Sequence, residues 1–220
     1  MNEILITVSR WIYIISIFAS LFFLLSITKR KCIPLNLKYL FLYPLGAVLV
    51  FGCFLSAWFD LIKLSTYLEI NSISLFYHMG FLGTFILMEI NNPRLKKLGK
   101  YILVVFFVAL ALGIYYRTDF WNTDVIAAHM GLFIISTLYF IDLFVNVPKL
   151  KITLIPAFWV VIGIFICSVV SIPPLTMVPY IKTYYPDSYV FFVVITLAAS
   201  SFMYLTFIKG VLCLKNHLKS

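Results

Sequence analysis

The stretch ILITVSRWIYIISIFASLFFLLSI, Ile4–Ile27, followed at once by Thr28-Lys29-Arg30-Lys31, decides the class of the fold. An α-helix rises 1.5 Å per residue, so ~20 mainly apolar residues cross the hydrocarbon of a bilayer. The stretch is long enough, and its single charged residue, Arg10, stands near its outer end. A cleaved leader carries basic residues ahead of a shorter apolar run. Here the basic residues follow a long one, so the segment is expected to be a retained span with its N-terminus translocated.

Six more apolar runs follow. The expected helices are Ile4–Ile27, Tyr39–Phe59, Ser72–Ile90, Tyr101–Tyr116, Thr123–Val147, Thr153–Ile172 and Ser188–Ile208, the sixth closed by Pro173-Pro174. Composition agrees: 63% of residues are hydrophobic and 11% charged, against about 25% charged in soluble domains. Seven spans take ~140 of the 220 residues, leaving short loops and no room for a second, soluble domain. The expectation is one all-α membrane domain covering residues 1–220, a seven-helix bundle.

Lysine and arginine orient it. Thirteen of the seventeen basic residues fall on one side: Lys29, Arg30, Lys31 and Lys38, then Arg94, Lys96, Lys97 and Lys100, then Lys149 and Lys151, then Lys209, Lys215 and Lys219. Arg10, Lys63, Arg117 and Lys182 fall on the other. The positive side is cytoplasmic. The N-terminus is therefore expected outside and the C-terminus in the cytoplasm of a bacterial inner membrane. The net charge of +9 is a topology signal, not a nucleic-acid footprint. The four cysteines, Cys32, Cys53, Cys167 and Cys213, have neither zinc-ligand spacing nor a pair in the expected outer loops.

Ionisable residues inside a span are costly and usually functional. His78 and His129 each lie about six residues into inward-running helices, ~9 Å below the outer surface. Two facing imidazoles can hold a metal or a haem iron, bind a ligand's polar head or sense pH, or simply hydrogen-bond a neighbouring helix. His78 and Glu89 share one helix face; Glu89 is placed to pair with Arg94, Lys96 or Lys97. Asp142 can reach Lys149 or Lys151, or contact helix 3 or 6. On the outer side, Glu69, Asp124 and Asp60 are partners for Arg10. Trp121 belongs to an outer aromatic group with Tyr115, Tyr116, Phe120, Tyr180, Tyr184 and Tyr185. That group reads as an interfacial belt or as a ligand box. Residues 172–187, with four prolines, are expected as a long outer connection lying over the bundle mouth. No mid-membrane lysine offers a retinal attachment point in the last two helices, and no Walker or G-x-S-x-G motif is present. Ser74 and His78 match one step of the pattern of ceramidase-like seven-helix hydrolases, but the H-x-x-x-H pair of their last helix is missing.

Asn71-Ser72-Ile73-Ser74-Leu75-Phe76-Tyr77-His78 followed by Glu89, Ser136-Thr137-Leu138-Tyr139-Phe140, and Pro156-Ala157-Phe158-Trp159 give the chain a resemblance. Over nearly its whole length it resembles a family of uncharacterised bacterial seven-helix membrane proteins, often encoded near sensor histidine kinases. The resemblance implies a signalling role with a membrane or cytoplasmic protein partner. The resulting expectation is a non-enzymatic sensor or signalling accessory in the lipid bilayer. Its outer-leaflet pocket would use His78, His129, Asp124, Arg10, Glu69 and Trp121, with Glu89 and Asp142 as inner polar residues. Alternatives are a small-solute transporter and a haem- or lipid-handling membrane enzyme; a packing subunit of a larger assembly is the plainest reading.

Overall fold

A computed structural model describes residues 2–28, 39–40, 42–58, 64–115, 123–146, 152–185 and 188–217. Among them are seven α-helices, one 3-10 turn and no strand: α1 Asn2–Thr28, α2 Leu42–Trp58, α3 Leu64–Glu89, α4 Pro93–Tyr115, α5 Thr123–Asn146, the turn Ile152–Leu154, α6 Pro156–Tyr184 and α7 Tyr189–His217. Five helices are long and apolar enough to cross a membrane: segments Ile4–Ser26, Pro93–Tyr115, Thr123–Asn146, Pro156–Val178 and Tyr189–Cys213. The chain is an integral, multi-pass membrane protein by that measure.

The side chains sort as a bilayer requires. On α4, Tyr101, Val104, Val105, Val108 and Leu112 form an exposed apolar stripe at helical spacing. Ile4, Trp11, Ile15, Phe18 and Phe22 are likewise exposed on α1. An apolar surface so extensive would aggregate in water and suits lipid tails. The core lies between the helices, with Leu82, Ile86, Ile135, Val160, Ile164, Met203 and Phe207 almost wholly enclosed.

Contacts fix the helix directions. Phe133 meets Phe165 and Phe140 meets Phe158, so α5 and α6 run antiparallel. Gly210 faces the Pro156 carbonyl oxygen and Cys167 meets Ser200, so α6 and α7 do too. By contrast α3 and α5 run the same way. A Cβ on Gly131 would lie 2.9 Å from Met79 Cε, and Ile135 reaches Gly83. Glycine at 131 is what allows α3, α4 and α5 to meet there, since Phe106 also stands 3.0 Å from that Cβ position.

Four boundaries depart from the hydropathy reading by more than a helical turn, one of them the end of α7, which continues past the expected Ile208 to His217. First, α3 starts at Leu64 rather than Ser72, because polar helical turns at a span's end carry no apolar signal. His78 is therefore fourteen residues, ~21 Å, from the start of its helix rather than about six. His129 stays six residues into α5. Second, α4 starts at Pro93 rather than Tyr101. Asn92 caps it: its Oδ1 accepts from the backbone N–H of Arg94 at 2.9 Å and of Leu95 at 3.4 Å, and proline follows at the first helical position, where it lacks no needed donor. Third, α6 does not end at Ile172 but continues through Pro173-Pro174 to Tyr184. Residues 172–184 are thus helix rather than the expected irregular lid. Packed membrane helices tolerate such prolines where their surroundings compensate.

Candidate functional site

Two polar levels tie α3 to α5. Near the C-terminal end of α5 Asp142, only 2% exposed, holds the loop after α3. Its Oδ2 accepts from the Asn91 backbone N–H at 2.8 Å, and its Oδ1 from the Asn92 N–H at 3.1 Å and the Asn146 amide at 2.6 Å. A carboxylate buried in this way is stabilised by donors, and each such charge-assisted bond contributes ~1.5–3 kcal/mol. Asp142 is thus engaged with main chain and Asn146; Lys149 and Lys151, expected as partners, lie outside the described residues. Lys96 points its ammonium at the Ile90 carbonyl, 3.4 Å away. Glu89 lies with Asp142 within electrostatic reach of Tyr139.

Thirteen residues earlier in the chain than Asn91 and Asp142 stand the two histidines. From Asn91 back to His78 and from Asp142 back to His129 the interval is the same, ~20 Å of helix. The parallel helices stay in register, and the imidazoles meet edge to face with centroids 5.8 Å apart. His78 Nδ1 also bonds the Tyr43 hydroxyl at 2.5 Å. His129 Nδ1 is buried with no hydrogen-bond partner among the described residues.

Tyr43, at the start of α2, is the residue that sequence reasoning missed. It is nearly fully buried and stacks near-parallel with Tyr77 at 6.2 Å and Tyr204 at 6.0 Å. The Tyr77 hydroxyl donates to the Leu42 carbonyl, pinning this first turn of α2. Tyr204 in turn engages Tyr43 and Tyr13 through side-chain hydrogen bonds. A continuous buried series thus runs from Tyr13 on α1 through Tyr204, Tyr43 and His78 to His129, touching α1, α7, α2, α3 and α5. The signal in the sequence was a tyrosine beside Pro44 in the first turn of a span, a place where proline fits and a phenol normally faces the interface.

Beside it opens an apolar cleft of about 300 Å³. Its walls include Tyr39, Leu40 and Tyr43 on one side and Gly80, Phe85 and Met88 of α3 on the other. These α3 residues lie between His78 and the helix's C-terminal end, so the cleft opens beside the C-terminal half of α3.

The other expected site residues are dispersed. Asp124 is 5% exposed at the start of α5, accepts from the Val125 N–H at 2.9 Å, and packs its backbone against Gly113 of α4. An acidic residue in a first helical turn is favoured by the helix dipole, which accounts for its place. Arg10 is exposed on α1. Glu69 falls within α3 but outside the described side chains, and Trp121, Tyr116 and Phe120 lie outside the described residues. Tyr180, Tyr184 and Tyr185 cluster at the end of α6, Tyr180 and Tyr184 with centroids 4.8 Å apart. Among the described residues no group of three or more His, Cys, Asp or Glu side chains is arranged to hold a metal ion. No family model matches the chain, and no curated protein or solved structure is significantly similar to it.

Proposed function

We propose that the chain is a seven-span sensor or signalling accessory of the bacterial inner membrane, non-enzymatic, with its N-terminus outside and its C-terminus in the cytoplasm. The thirteen-to-four division of basic residues supports the orientation. The observation that carries the function is the cleft beside Tyr43. An apolar cleft of about 300 Å³ has the volume and lining for a lipidic tail, and the wall residue Tyr43 is hydrogen-bonded to His78. A bound acyl chain would press on Tyr43 and so on the histidine pair, while the basic inner loops contact a signalling protein, as the resemblance to kinase-associated membrane proteins implies.

The test is photo-crosslinking of the protein, reconstituted in bilayers, with a phospholipid carrying a diazirine in its acyl chain. Crosslinks should concentrate on residues 80–88 and be lost when Thr84→Trp, at an exposed position in the cleft wall, fills it. Labelling spread evenly along the exposed faces of α1 and α4, with no enrichment at 80–88, would overturn the reading.

A further inference from the structure

We infer that α6 and His129 enclose a bound-water site in the protein interior, at the level of the histidine pair. The observation is independent of the lipid cleft. Most described serine and threonine hydroxyls close onto a carbonyl one turn back on their own helix, as Ser16, Ser20, Ser201 and Thr206 do. Ser168 and Ser171 do not. They are 1% and 0% exposed, and neither Oγ has a hydrogen-bond partner among the described residues. Ser171 stands beside the Cys167 thiol, a weak partner at best.

The register of α5 and α6 brings these hydroxyls level with His129. Phe133 meets Phe165. Phe140 also meets Phe165 and Phe158, so His129 stands opposite the stretch of α6 that begins near Val169 and holds Ser171, with Ser168 at its edge. His129 Nδ1 is the third buried atom at this level without a partner. The fourth contribution comes from the backbone. Pro173 and Pro174 have no N–H, so the carbonyls of Val169 and Val170 lose the donors that a regular helix would supply. Pro174 is buried, which places the Val170 carbonyl on the inner side of α6. Cys167 and Ser200, 3.8 Å apart, close the level toward α7.

Two hydroxyls, one imidazole nitrogen and a carbonyl deprived of its regular helical donor therefore lie near one level where α5, α6 and α7 pack. Each unpaired buried polar group is costly, and buried polar groups are normally satisfied by protein or by ordered water. Water fits this set better than a cation. Hydroxyls both donate and accept, a water takes two to four such partners, and among the described residues no carboxylate stands at this level to neutralise a buried positive charge. Among the described residues Ser136 is the remaining hydroxyl of this kind, and it lies seven residues beyond His129 toward the C-terminal end of α5.

The test uses water itself as probe: radiolytic hydroxyl labelling of the reconstituted protein in oxygen-18 water, read by mass spectrometry. Buried side chains next to bound water should take up the label, so His129 and Cys167 should be modified in the wild type. A Ser168→Ala/Ser171→Ala variant should lose most of that labelling, while the exposed Tyr184 and Tyr185 are labelled as before. Ser136→Ala, equally buried but off the level, should leave His129 and Cys167 labelled. Wild-type protein with unlabelled His129 and Cys167 would overturn the proposal. So would unchanged labelling in the double variant, or an equal loss in Ser136→Ala, which would mark a general loosening of the core.

Discussion

Tyr43 and His78 share a hydrogen bond of 2.5 Å that joins the first turn of α2 to the middle of α3. The bond turns a marginally placed helix into part of the core, because Tyr43 also packs on Tyr77, Tyr204 and Phe207. Tyr43→Phe keeps the ring and removes only the hydroxyl. It should cost ~1–2 kcal/mol by leaving His78 Nδ1 unpartnered in the interior. Thermal unfolding in detergent, compared with His78→Phe/Tyr43→Phe, measures it. The double variant should lose less than the two single losses together, since both partners are then gone.

Asp142 accepts three hydrogen bonds, two of them from the backbone that leads into α4. Asp142→Ala should destabilise by ~3 kcal/mol or more, because it strands buried N–H groups. Asp142→Asn retains one acceptor oxygen and should fall between. Denaturant titration of the reconstituted protein reads the order; equal stability of Asp142→Ala and wild type would refute the clamp.

Gly131 has no space for a side chain: a Cβ would stand 2.9 Å from Met79 Cε and 3.0 Å from Phe106 Cβ. Gly131→Val should cost ~1–3 kcal/mol through overpacking and push α3 from α5. A crosslink engineered between cysteines at positions 78 and 129 should form more slowly in that background. An unchanged rate would show that the helices are not wedged at this point.

Topology is directly testable. Alkaline phosphatase fused after Ser220 should be inactive and a fluorescent protein at the same place active, as a cytoplasmic C-terminus requires. A fusion after Trp121, between α4 and α5, should show the reverse. Activity of the phosphatase at the C-terminus would reverse the orientation or change the number of spans.

Hydropathy made the helical class legible, because 20-residue apolar runs have few soluble interpretations. It placed span ends poorly wherever a helix continues into polar residues, as at Leu64 and Pro93. It also misread Pro173-Pro174: proline marks a missing donor, and only packing determines whether the helix continues past it. The histidines drew notice as rare ionisable groups, yet their meeting depends on α3 and α5 running parallel and in register. Tyr43 gave no such signal, since one tyrosine among fourteen is ordinary until its neighbours are known.

The equal interval on α3 and α5 has a mechanical meaning. With the histidines at one rung and Asp142 holding residues 91 and 92 at the other, the two helices form a ladder that cannot shear without breaking both rungs. A push delivered to the histidine rung would therefore travel ~20 Å to the loop after α3 as a displacement of the whole ladder, and not as bending along the way.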